Sequence, residues 1–257
     1  SNSTGDLTIK ANGVIGGGIG ISASNYSSGD LTISVDRAVG QNNAGINAVQ
    51  KGSGDLDVSA RDVTGARNAI AAFNYGQGSI IINATGFVES SQNAAIYAYN
   101  SSSSTGDVTI TASDATGAYD GIAVNNFGNG AVNITANGAV SGGTANGITA
   151  YNASSEDLTI TINAGGSVST SGTDADDWAI AANAPNGAVI VDNFGTVTGR
   201  VNLTNSNTWG SNSGTLENTF TNAGTWDLAN TTSNFNANDS SLVVNEGLII
   251  AASDSAT

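Results

Sequence analysis

The chain has no cysteine, no histidine, no methionine, one proline and only six basic residues in 257. Without cysteine there can be no disulfide and no thiolate ligand. Without histidine there is no imidazole to bind a metal or to activate a serine, so a histidine-dependent triad is excluded. The six cations are Lys10, Arg37, Lys51, Arg61, Arg67 and Arg200, against 21 acidic residues, a net charge of -15. A nucleic-acid groove needs a basic stripe to neutralise phosphates, so no nucleic-acid partner is expected. The sequence also lacks a signal peptide and any apolar run near the length of a membrane-spanning helix, so this segment is not expected to insert into a membrane. The missing methionine suggests a processed chain or an excised fragment.

What is present is small and polar, with 34 glycines and 39% hydrophobic residues. One phrase recurs: GDLTI from Gly5 and Gly29, GDLDV from Gly54, GSIII from Gly78, GDVTI from Gly106, GAVNI from Gly130, EDLTI from Glu156 and GAVIV from Gly187. Successive starts lie 24, 25, 24, 28, 24, 26 and 31 residues apart, the period of a solenoid. Alternate residues of the phrase are apolar, as in a strand with one buried face. One inward column runs Leu7, Leu31, Leu56, Ile80, Val108, Val132, Leu158 and Val189; the next runs Ile9, Ile33, Val58, Ile82, Ile110, Ile134, Ile160 and Val191. A third column holds Ala11, Val35, Ala60, Ala84, Ala112, Ala136 and Ile162, with Asn193 as its one polar member.

A second strand is expected to point Val14, Val39, Val63, Val88, Ala115, Val140, Val168 and Val197 inward. A third would use Ile21, Ile46, Ile70, Ile96, Ile122, Ile148 and Ile180, each followed two residues later by Ala or Val. A rung of this length cannot bury its own apolar edge, so the rungs must stack. The expected fold is therefore all-β: a right-handed parallel β-helix with three short strands per rung and about ten rungs. Four residues after the third-strand Ile comes an amide: Asn25, Gln50, Asn74, Asn100, Asn126 and Asn152, with Asn183 one place early. This series reads as a structural amide ladder along the coil. Residues 1–191 form the regular part. In 192–257 the same domain is expected to continue with less regular, more aromatic rungs, drawing on Trp209, Phe220, Trp226 and Phe235, with Val197, Leu228, Leu248 and Ile250 in the alternating stretches, and ending at a frayed or cut ASDSAT.

The serial GDLTI-x-A, V-x-G and GI-x-A-x-N phrases, followed by Asn193-Phe194-Gly195-Thr196-Val197-Thr198-Gly199 and Phe220-Thr221-Asn222-Ala223-Gly224-Thr225-Trp226, resemble adhesin-type autotransporter passengers of bacteria. The resemblance covers nearly the whole chain and specifies architecture more than chemistry. It implies a surface-exposed, extracellular passenger tethered to the outer membrane through a C-terminal translocator barrel, before which this chain ends. A coil of two-partner secretion is a related possibility.

Two rungs carry extra residues. Ser101, Ser102 and Ser103, with Ser104 and Thr105, form one insert; Ser169 to Asp177 form the other, with Asp174, Asp176 and Asp177 leading to Trp178. Loops on a rigid scaffold are a usual place for ligand-binding residues, although a solenoid also tolerates neutral insertions there. The recurring Asp6, Asp30, Asp55, Asp107 and Asp157 could hold calcium, but the plainer reading is turn chemistry, and no metal or other cofactor is expected. Carboxylate pairs for glycoside cleavage would need flanking geometry that neither Asp174, Asp176 and Asp177 nor Asp55, Asp57 and Asp62 suggests. The expected function is thus a non-catalytic adhesin whose partner is a host surface protein, a matrix protein or glycan, or another copy of itself. The alternatives are a polysaccharide-active enzyme and a passive stalk.

Overall fold

The computed structural model of the chain describes residues 4–205, 217–228, 232–235 and 241–251. Trp209 and the terminal ASDSAT fall outside them. The described residues form a parallel β-solenoid with no helix. Each turn contributes to a 15-stranded sheet of longer strands and then to a nine-stranded sheet of short ones. The coil makes about nine turns, close to the ten or so expected; the last long-sheet strands, Leu242–Asn245 and Leu248–Ile250, have no short-sheet strand after them among the described residues.

The recurring phrase sets the register. Leu7 pairs with Leu31, Leu31 with Leu56, Leu56 with Ile80 and Ile80 with Val108, and the column continues through Val132 and Leu158 to Val189. From Leu31 onward these side chains are wholly buried. Every turn has the same alternation, so each apolar side chain lands on its counterpart and burial is shared between neighbouring turns. The short sheet stacks Ile21, Ile46, Ile70, Ile96, Ile122, Ile148, Ile180 and then Val201 in the same way.

Three expectations need correction. In the first five turns the first two strands are one continuous strand, such as Leu31–Gly40 or Val108–Gly117; only from Val132–Ala136 and Ala139–Gly142 onward do they separate. At that point Asn137-Gly138 lies between the two strands, and the next turn has Asn163 to Gly166, where Gly165 takes a φ of 88°. Such residues leave the extended conformation easily. Second, the inward residue of the second turn is Ala38 and not Val39, since Ala38 pairs with Val14 and Val63 and is fully buried. Third, Ile249 and not Leu248 or Ile250 stands in register with Trp226.

The expected aromatic segment is built as a cluster. Phe220 and Trp226 have ring centroids 4.8 Å apart, and Phe235 meets them at 5.9 and 5.8 Å. The Trp226 indole N–H donates to the Gly199 carbonyl at 3.1 Å, which satisfies its one polar atom.

Candidate functional site

The amide column lies inside the coil, at the end of each short strand, where the chain turns toward the next long strand. Asn74 Nδ2 donates to Asn100 Oδ1 at 2.9 Å, Asn100 to Asn126 at 2.9 Å and Asn126 to Asn152 at 2.8 Å. The same side chains close their own turns: Asn126 Nδ2 donates to the Gly130 carbonyl at 2.8 Å, and its Oδ1 accepts from the Gly128 N–H at 3.0 Å. Asn25 and Gln50 stand in the column but are bonded differently. Asn25 donates to the Gly29 carbonyl at 2.7 Å, and Gln50 reaches back to that same carbonyl at 2.8 Å. Gln50 is one methylene longer, and its Oε1 is buried without a hydrogen-bond partner. Asn183 stands in register with Tyr151 and not with Asn152. Asn205 resumes the turn bonding by donating to the Gly187 carbonyl at 2.6 Å.

A second ladder runs through the long sheet. The third inward column passes from Ile162 to Asn193, Asn222 and Asn245. Asn193 Nδ2 donates to Asn222 Oδ1 at 2.7 Å, and Asn222 Nδ2 donates to Asn245 Oδ1 at 2.7 Å. By spacing alone Asn193 is the lone polar member of an apolar column. The signal was the Asn-x-Gly unit recurring at 193, 222 and 245.

The turn aspartates act between turns. Asp6 Oδ1 accepts the Asp30 N–H at 3.0 Å, Asp30 that of Asp55 at 2.8 Å, Asp55 that of Ser79 at 2.7 Å and Asp107 that of Ala131 at 2.8 Å. Each carboxylate thus ties its turn to the next one instead of closing a local loop. No group of three or more potential ligands is arranged to hold a metal ion among the described residues.

The serine insert is tied to the preceding turn. Ser103 Oγ donates to the Tyr75 carbonyl at 2.9 Å, and Ser104, fully buried, donates to the Gly78 carbonyl at 2.8 Å. Ser101 and Ser103 share a hydroxyl contact at 2.8 Å, and Ser102 is exposed. The hydroxyls supply the partners that the longer turn needs.

The other insert is braced at both ends. Asp177 Oδ2 accepts the Asp174 N–H at 2.7 Å. Arg200, placed after Gly199 with its φ of 114°, donates to the Asp174 and Asp177 carbonyls at 2.7 Å each. Its guanidinium carbon also lies 4.2 Å from the centroid of the Trp178 ring. The Trp178 N–H donates to Asn146 Oδ1 at 2.7 Å. Asn146 Nδ2 donates to Thr149 Oγ1 at 2.9 Å, and Thr149 donates to Asp120 Oδ1 at 2.9 Å. Asp120 is only 7% exposed, and burial raises its pKa above the ordinary carboxylate value, opposed by the bonds from Asn146 and Thr149.

Two cavities flank this insert. One of about 710 Å³ lies against Gly172, Thr173, Asp174 and Arg200. The other, about 420 Å³, lies on the outer face of the short sheet between Trp178, Asp176, Asn125, Thr149, Asn202 and Asn234. The structure therefore brings Trp178 and Asp176 to a concave polar site and leaves Ser101, Ser102 and Ser103 outside it.

Beside the second cavity runs an aromatic stripe that sequence reasoning missed. Phe73, Tyr99 and Tyr151 occupy the outward position just before the amide column, and Tyr75 and Phe127 the position just after it. Ring centroids lie 5.6 Å apart for Tyr75–Tyr99, 5.7 Å for Tyr99–Phe127 and 5.4 Å for Phe127–Tyr151. Tyr97 joins through Phe73 at 5.6 Å. Set against known proteins, the chain matches no family model, no curated protein and no solved structure.

Proposed function

We propose that this chain is a non-catalytic adhesive rod, displayed outside a bacterial cell as part of an autotransporter-type passenger. The observation that carries the reading is the contrast between its inside and its outer face. The inside is a continuous apolar column reinforced by two amide ladders, which stiffens the coil. The outside of the short sheet presents a line of touching aromatic rings next to a braced insert. A surface held this firmly loses little conformational entropy when it meets a partner, which suits contact along a length of the rod. A passive stalk has no need of large rings at the surface, since exposed contiguous apolar area carries an aggregation liability unless it is used.

The test is display of the chain on cells that lack adhesins of their own, with attachment to surfaces and to other cells measured beside an undecorated control. Attachment or clumping that depends on the displayed chain is the expected result. No difference from the control would leave the adhesive reading without support.

A further inference from the structure

Resting on the adhesive reading, we infer that the cavity at Trp178 and the aromatic stripe beside it form one continuous binding site for a neutral glycan chain. The two features share a face and touch. Asn125 lines the cavity and, in register, lies between Tyr99 and Tyr151 of the stripe. The cavity's volume, about 420 Å³, falls among those of small-ligand sites.

The chemistry of the face selects the ligand. The outward residues of the short strands between Ile21 and Asn152 are Ser, Thr, Asn, Ala, Val, Phe and Tyr, with no charged side chain. This is unusual in a chain of net charge -15. Five carboxylates, Asp36, Asp57, Asp62, Glu89 and Asp114, lie on the long strands, while Asp176 at the cavity and the buried Asp120 behind Thr149 are the acids near the proposed site. A basic protein partner would be attracted to those long strands more than to this face, whose strands carry no charge and whose cavity has the single carboxylate of Asp176. A neutral polyhydroxylated chain fits it. Its C–H faces pack on aromatic rings, and its hydroxyls both donate and accept, as do the amides of Asn125, Asn202 and Asn234. Asn202 Oδ1 accepts from Asn234 Nδ2 at 3.1 Å, one bond each from groups that can make several, so hydrogen-bonding capacity is left for a ligand. Trp178 is held in place by Asn146 and by the Arg200 stack, so the ring is pre-set to meet a sugar. The stripe extends the contact over four turns, from Tyr75 to Tyr151, which favours oligosaccharides over single sugars.

The experiment uses the full chain and four neutral hexasaccharides, built on β-linked glucose, β-linked N-acetylglucosamine, α-linked glucose and α-linked mannose, with binding followed by calorimetry. At least one is expected to bind, and more tightly than its monosaccharide. Trp178→Ala is expected to weaken that binding at least tenfold. Tyr151→Ala and Phe127→Ala, which alter outward-facing rings and leave the core intact, are expected to weaken it several-fold each. Phe194→Ala, which removes an exposed ring from the turn between Val189–Asn193 and Thr196–Thr198, should change nothing. Failure of all four sugars to bind, or binding indifferent to Trp178, Tyr151 and Phe127, overturns the inference. Attachment of displaying cells separates this failure from failure of the adhesive reading. Attachment that persists in Trp178→Ala and Tyr151→Ala, or that survives periodate oxidation of the target's sugars, keeps the adhesin and removes the glycan site.

Discussion

At the scale of single residues, the fold depends on side chains that bond across turns, and Gln50 is the place where that pattern is imperfect. Its longer side chain leaves Oε1 buried and unpaired, whereas Asn74, Asn100 and Asn126 bond the next turn directly. Gln50→Asn restores the length used by the other members, and a stabilisation of about 1 kcal/mol is expected in chemical denaturation. Truncation at the middle of the ladder is costly. Asn126→Ala removes the partner of Asn100 Nδ2 and of Asn152 Oδ1 and opens its own turn, so a loss of about 2–4 kcal/mol is expected by the same measurement. Asp120 gives a pH signature. Its folded pKa lies above the unfolded value of 3.8, so the folded state holds the proton more tightly. This contribution to stability is fully present below pH 3.8 and is lost as pH rises through the raised folded value. Asp120→Asn, which keeps an acceptor for Thr149 and the Asn146 N–H, should therefore raise the melting temperature at neutral pH and bring little gain in acid.

At the scale of strands and turns, much was legible because one repeat is written many times. Leu31, Leu56 and Ile80 fall on one column by spacing alone, as do Asn74, Asn100 and Asn126. Ala38 was missed because Val39 beside it is the larger apolar residue; the register that decides between them comes from pairing with Val14 and Val63, not from hydrophobicity. The aromatic stripe was legible in principle, since Phe73, Tyr99 and Tyr151 sit one place before the amide column, but outward positions were read only as polar. The cavity was not legible. It depends on Arg200, more than 20 residues downstream, clamping the carbonyls of Asp174 and Asp177. The second ladder yields its own expectation. Asn222→Val puts back the kind of side chain found earlier in the column but leaves Asn193 and Asn245 without their amide partner. A loss of about 2 kcal/mol is expected, concentrated in the C-terminal turns and visible as faster hydrogen exchange there.

At the scale of the whole molecule, stability is a sum over neighbouring turns, each meeting only the one above and the one below. Amides in central turns, such as those of Ile110 and Ile134, should exchange most slowly, and those of the first turn most quickly, because a terminal turn has one neighbour instead of two. The proposed binding face follows from the same geometry, since rings separated by 20 or more residues in sequence come together only when turns lie in register. The most direct test uses the absence of cysteine. Thr32 and Asp57 are outward register partners in adjacent turns. At the parallel-strand spacing of about 4.8 Å their α-carbons are within disulfide reach. The double variant Thr32→Cys with Asp57→Cys should oxidise readily to an intramolecular disulfide. Thr32→Cys with Ser59→Cys, displaced by two residues along the strand to about 8 Å, should not. Equal cross-linking of both pairs, or preferential cross-linking of the displaced one, would contradict the stacked register and the surface built on it.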